Sequence, residues 1–254
     1  MAKATAKKKA IRRKVKVYPY IKGLHINEYR RLQRKKEPLL RELLPYVTES
    51  YQEGCWGLNH PLLIELVIDP AYCAVVNRVF ELRQQWLAEA KESRNWVRYF
   101  DVIEPAYRLK KLKEVLNELT DSDYWERLGQ MYILTEIVSF QQKTVRDLFS
   151  SSRPEREKLM DAEERKILDD LPDEVTIYRG YDLNNSKGWS WTLSEEKAEW
   201  FANRWRKAYP ERKRRVATGK VRKKDIIAYF DGRNEKEIVV NPQKVKAITR
   251  RTLD

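Results

Sequence analysis

A change of pattern at Pro172 limits the fold more than any other feature of the chain. Upstream, apolar residues recur three and four apart. Downstream they fall in short runs rich in β-branched and aromatic side chains, separated by charged turns. Tyr72, Val75, Val76, Val79, Leu82 and Trp86 have helical spacing behind Asp69-Pro70, an N-cap followed by a first-turn proline. A second helix is expected from about Asp121 and Asp123; it is apolar almost all round from Met131 to Phe140 and reads as a buried central element. The charged, glycine-free segment Arg153 to Asp170 predicts a surface helix. Trp56, Trp86, Trp96 and Trp125 read as packing residues. Beyond Pro172, strands are expected at Val175–Tyr178, Trp189–Leu193, Val216–Val221, Ile226–Phe230, Glu237–Val240 and Val245–Thr249. Ser194 is placed to cap a helix with Glu195 and Glu196 in its first turn and Ala198, Phe201, Ala202 and Trp205 on one face. The expected fold class is α+β: a basic tail over residues 1–24, a mainly helical domain over 25–170, and a compact mixed, β-rich domain over 171–254.

The 254 residues suffice to bury a substantial core. Cys55 and Cys73 offer neither a disulfide framework nor zinc spacing, and no apolar run is long enough for a membrane span or a secretory signal. A soluble protein of the cytoplasm is expected. The net charge of +14 is unevenly spread: residues 1–41 carry +13, residues 42–199 carry −10, and residues 200–254 carry +11. Positive charge concentrated at both ends is the footprint of a polyanionic partner, nucleic acid or an acidic protein, although a solvated arm has the same composition.

Three short motifs lie in the β-rich region. In Tyr178-Arg179-Gly180, an arginine near a strand end can fork onto a phosphate while glycine lets the backbone approach. In Trp189-Ser190-Trp191-Thr192, alternation along a strand puts Ser190 and Thr192 on one face and the indoles on the other. In Glu235-Lys236-Glu237, leading into Ile238-Val239-Val240, the same alternation pairs two carboxylates, one for a developing cation and one for an acceptor's proton. Each motif taken singly also fits a bland role: a surface arginine, a strand with its polar face in water, a charged loop.

Their order, with the helix bearing Ala198 and Phe201 between the second and third, resembles the Arg-Ser-Glu class of mono-ADP-ribosyltransferases, which includes cholera-toxin-like and clostridial C3-like enzymes. The resemblance covers about residues 172–250. It implies NAD as co-substrate and no metal. It implies that Arg179, with Gly180, Thr192 and Phe201 nearby, binds NAD, and that Ser190 orients the catalytic glutamate and supports the nicotinamide ribose of NAD. Glu237 would bond the ribose 2′-hydroxyl and stabilise the oxocarbenium ion, and Glu235 would engage the acceptor. His25 and His60 lie far from the motifs, which disfavours the histidine-led subclass. The sequence departs from the class in two ways: only 10 residues separate Arg179 from Ser190, and Trp191 replaces the usual small residue.

For the acceptor, an E-x-E pair in this class usually goes with arginine, while the charge map favours nucleic acid. Arg204, Arg206, Lys207, Arg212, Lys213, Arg214, Arg215, Lys220, Arg222, Lys223 and Lys224 crowd one segment, interleaved with Trp205 and Tyr209. Cations with aromatics suit single-stranded nucleic acid. The expectation is a toxin-like transferase acting on RNA or another nucleic-acid target. The alternatives are modification of arginine on a ribosomal or polymerase protein, and a catalytically silent nucleic-acid binder on the same fold. An acidic inhibitor, as in toxin–antitoxin or phage-defence systems, would also satisfy the basic ends.

Overall fold

The computed structural model describes residues 20–49, 56–67, 72–134, 142–182 and 188–253, and the chain divides into two compact units, Met1–Ala88 and Glu89–Asp254. The basic tail up to residue 19, the Asp69-Pro70 pair and the apolar run past Leu134 lie outside the described residues.

In the first unit, β1 (Tyr20–Ile21) and β2 (Leu24–His25) form a hairpin whose turn residues Lys22 and Gly23 both have positive φ, 53° and 83°. That pair of angles is the two-residue turn whose twist matches antiparallel strands. Helix α1 (Ile26–Leu32) follows, then a 3-10 turn (Arg41–Tyr46) and an antiparallel sheet of β3 (Val47–Glu49), β4 (Trp56–His60) and β5 (Leu63–Val67). This sheet is absent from the sequence expectation for residues 25–170, where helices still make up most of the described structure. Its strands are too short for a clear period, and the hairpin loop Pro61-Leu62 lacks the usual Asn-Gly or Asp-Gly signal. Helix α2 (Cys73–Glu92) buries Val75, Val76 and Val79 as its spacing predicts and crosses the division between the units.

The second unit holds both helices and sheet, so its limit lies well before the compositional change at Pro172. Its helices are α3 (Trp96–Val102), α4 (Pro105–Glu114), α5 (Asp121–Leu134), α6 (Gln142–Phe149) and α7 (Ala162–Asp170). Trp96, Phe100, Leu109, Leu112, Trp125, Leu128 and Val145 are buried among them. The helix expected over Arg153–Asp170 is broken: Glu155, after Pro154, is left-handed (φ 62°), a 3-10 turn covers Arg156–Leu159, and α7 starts afresh from a capping box of Asp161 and Glu164.

The strands are β6 (Glu174–Tyr181), β7 (Ser190–Thr192), β8 (Arg214–Arg222), β9 (Ile226–Phe230), β10 (Glu237–Val240) and β11 (Lys246–Leu253), with α8 (Glu195–Asn203) between β7 and β8. They form one antiparallel sheet in the order β11-β8-β6-β7-β10-β9. Val175, Ile177, Trp191, Ala217, Ile238 and Val240 build an apolar cluster, with Ile167 and Leu168 of α7 against it. The fold class is α+β, as the sequence predicts.

Candidate active site

Strand pairing gathers the motif residues. Strands β7 and β10 run antiparallel with Thr192 opposite Glu237 and Ser190 opposite Val239. Alternation then places Ser190, Thr192 and Glu237 on one face, while Trp191, Ile238 and Val240 point into the apolar cluster. Strand β6 meets β7 through one rung, Tyr178 with Thr192. Arg179 is the next residue on β6.

Glu237 is the most enclosed of the acidic residues here, 6% exposed. Its Oε1 accepts the Tyr132 hydroxyl at 2.9 Å, and the Ser190 side chain is within hydrogen-bonding reach of both Glu237 and Tyr132. Burial raises the Glu237 carboxyl above its ordinary pKa and nearby Glu235 adds to this, against Ser190, Tyr132 and Arg233, which favour the ionised form. Burial likewise pushes the Tyr132 phenol well up, reinforced by Glu237. The tyrosine therefore stays a donor. Its ring is held edge-on to Phe149 of α6 and tilted on Phe230, the residue opposite Glu237 on β9.

The Arg179 guanidinium donates to the Ser190 carbonyl and lies in the field of Tyr132 and Glu237. Burial lowers its pKa while those two groups and Tyr181 oppose the shift. Gly188 makes room for it, since a Cβ at position 188 would run into the guanidinium. Gly180 has a different reason from the one its motif suggests: a Cβ there would strike the Ala198 carbonyl and the Ala202 amide nitrogen. Helix α8 is what approaches the Gly180 backbone. Ser194 caps that helix by accepting from the Lys197 amide, as expected, and Phe201 is half-buried on it. Trp205, expected on the same face, lies past the end of α8 and is exposed.

The Glu235-Lys236-Glu237 turn is held at several points. Thr192 Oγ1 donates to the Glu235 carbonyl at 2.7 Å, and Leu193 N donates to the Lys236 carbonyl at 3.0 Å. Glu164 of α7 accepts from the Asp231 amide at 3.2 Å, and Asp231 Oδ1 accepts from the Lys236 amide at 3.0 Å. Asn234 and Lys236 are left-handed (φ 53° and 46°), a conformation that costs non-glycine residues and persists where the surroundings impose it. Both carboxylates still meet one cation: Arg233 Nη2 lies 2.9 Å from Glu235 Oε2 and 3.9 Å from Glu237 Oε2. A cleft of about 320 Å³ beside this turn is lined by Ser194, Glu196, Lys197, Trp200, Asn234 and Lys236.

The eleven basic residues of the Arg204–Lys224 segment do not form one stripe. Lys220 and Arg222 on β8 pair with Glu174 and Asp225, and Lys223 donates to the Asp169 carbonyl. Arg214 and Arg215 are half-buried at the start of β8, and Lys224 follows the strand's far end. Arg204, Arg206, Lys207, Arg212 and Lys213 fall in the connection between α8 and β8, where Trp205 and Tyr209 stand 52% and 42% exposed, next to Trp200 of α8, 54% exposed. The Arg204 guanidinium lies over the Trp205 ring at 5.2 Å and Arg212 over Tyr209 at 3.5 Å.

Tyr132, Gly188 and Arg233 escape the sequence reading. Tyr132 sits in an apolar run that reads as core, and position 188 and position 233 match no spacing rule. The histidines serve local structure in the first unit: His25 Nδ1 accepts from the Asn27 amide and His60 Nδ1 from the Leu62 amide. Among the described residues no cluster of His, Cys, Asp and Glu could hold a metal ion, and no helix is long and apolar enough to cross a membrane. No family model, curated protein or solved structure matches the chain.

Proposed function

We propose that the chain is a mono-ADP-ribosyltransferase that takes NAD as co-substrate, releases nicotinamide and passes ADP-ribose to RNA or another nucleic-acid target in the cytoplasm. The observation that carries this reading is the convergence of Arg179, Ser190 and Glu237 from three different strands. Arg179 supplies a fixed guanidinium for the diphosphate of NAD, with Thr192 and Phe201 as candidate contacts, while Gly180 serves by letting α8 pack against β6. Ser190 and Tyr132 fix the direction of the Glu237 carboxylate. A fixed carboxylate in a water-poor site stabilises the positive charge that builds on the ribose when a glycosidic bond breaks. Thr192 holds the Glu235 backbone, which sets Glu235 beside the same position to receive the acceptor's proton.

The exposed Trp200, Trp205 and Tyr209 among Arg204, Arg206, Lys207, Arg212 and Lys213 support a single-stranded nucleic acid as acceptor, through stacking and phosphate contacts. An acidic inhibitor would use the same surface. A second reading, transfer to arginine on a ribosomal or polymerase protein, draws support from the guanidinium of Arg233 resting on Glu235. The test is incubation with NAD labelled in the adenylate half, with nicotinamide release measured and the products digested with nuclease or protease. Label sensitive to nuclease supports RNA and label sensitive to protease supports the second reading. NAD left intact would reduce the chain to a binding protein on this fold.

A further inference from the structure

We propose that Arg233 is itself an acceptor, so that the protein places ADP-ribose on its own guanidinium. This inference rests on the transferase reading above. Three contacts define the position of Arg233. Nη1 donates to the Ile133 carbonyl at 2.5 Å in the last turn of α5, Nη2 donates to Glu235 Oε2 at 2.9 Å, and Nη2 lies 3.9 Å from Glu237 Oε2. An ordinary ion pair between residues two apart needs only the second of these. The first fixes the plane of the guanidinium, and the third sets its nitrogen against the carboxylate that faces the reacting sugar. The chain thus presents a guanidinium to the two groups to which the chemistry assigns acceptor and ribose. The side chain is 40% exposed, which leaves one side open to a co-substrate. The left-handed Asn234 and Lys236, the Asp231 contacts and the Thr192 anchor hold the loop in this presentation.

The step balances. A bond forms between Nη2 and C1′ of the nicotinamide ribose as the C1′–N bond to nicotinamide breaks. The electron pair of the broken bond leaves with nicotinamide, which departs neutral. The guanidinium gives up one proton to the Glu235 carboxylate, and the product is a substituted guanidinium that keeps its positive charge. One proton is released overall and passes from Glu235 to water. A carboxylate at hydrogen-bond distance is what this nucleophile needs, because a guanidinium is effectively always protonated near neutral pH.

The full chain, incubated with NAD alone, is analysed for released nicotinamide and by peptide mass mapping. Isotopically heavy Glu237→Gln chain is included in the same tube. The expected result is one ADP-ribose on Arg233 of the light, active chain, at least tenfold less on the heavy chain, and no label on Arg233→Lys protein. Nicotinamide release with Arg233 unmodified would overturn the inference and leave the transferase reading standing. Equal labelling of light and heavy chains would show modification between molecules and overturn the intramolecular geometry. If no nicotinamide is released, both readings fall together.

Discussion

Tyr132 on α5 donates its hydroxyl to the carboxylate of Glu237 on β10 at 2.9 Å, with both residues buried. A helix more than a hundred positions upstream thereby supplies one of the groups that orient the proposed catalytic carboxylate.

Replacing Tyr132 with Phe keeps the ring between Phe149 and Phe230 and removes only the donor. A hydrogen bond to a charged group is worth about 1.5–3 kcal/mol, so NAD turnover is expected to drop roughly 10- to 100-fold. The hydroxyl also favours ionised Glu237, so its loss raises that pKa further and moves the acid limb of the pH–rate profile to higher pH. Nicotinamide release measured across pH checks this. An unchanged profile would leave Tyr132 as a packing residue.

Glu237→Gln is expected to abolish turnover, by about 1,000-fold or more, while making the protein more stable at neutral pH. Burial holds the Glu237 pKa above its unfolded value. A raised folded-state pKa gives stability that is fully present below the unfolded pKa and is lost as pH rises through the folded one. Near neutrality the wild-type carboxylate therefore bears a cost that the amide does not. The melting temperature of the variant should exceed that of wild type at about pH 8, with the gap closing toward about pH 4. Each kcal/mol relieved corresponds to about 2–4 °C in a chain of this size. A wild-type protein that melts higher at about pH 8 would contradict a strained carboxylate.

The two glycines near Arg179 should respond to alanine in opposite ways. At position 188 the new methyl meets the flexible end of a side chain, so the protein should stay folded while the guanidinium is displaced and KM for NAD rises at least about tenfold. At position 180 the methyl meets the backbone of α8, which cannot yield cheaply, and stability should fall by about 1–3 kcal/mol or more. Thermal melts and NAD kinetics on the two variants separate the effects, and equal behaviour would remove the distinction.

Glu235→Gln should suppress transfer to an external acceptor by about 100-fold, more than it suppresses NAD hydrolysis, because water needs less help in losing its proton to bulk solvent. The ratio of the two rates in wild type and variant is the measurement. Equal losses would assign Glu235 to NAD itself.

Single-stranded RNA binding, if it uses the connection between α8 and β8, should weaken by orders of magnitude between about 50 and about 200 mM salt. Trp205→Ala should remove about 1–3 kcal/mol of stacking, a loss of roughly 5- to 150-fold in affinity. Fluorescence anisotropy with a labelled oligonucleotide reports both. A flat salt response would argue for an acidic protein or no partner.

The motif residues were legible because β-strand alternation and pairing act locally: Ser190 with Thr192, and Ile238 with Val240, fall on the faces that a period of two predicts. The cap at Ser194 and the buried face of α2 were legible for the same reason. Tyr132 was not, because a buried tyrosine that bonds a carboxylate and one that only packs have the same neighbours in sequence. The break at Glu155 was missed because charged residues suit a helix and a turn equally well, and the capping box at Asp161 and Glu164 sits inside the charged run. The basic segment looked continuous in one dimension. A nine-residue strand through its middle carries one end roughly 30 Å from the other.

The hydrogen bond between Tyr132 and Glu237 also sets the smallest piece of chain that can carry the proposed chemistry. A fragment cut at Pro172 would retain Arg179, Ser190, Glu235 and Glu237 yet lose the phenol and the ring packing around it. Transplanting the four motif side chains alone would therefore leave Ser190 without Tyr132 to orient the carboxylate, and a module carrying the proposed chemistry has to reach back at least to α5.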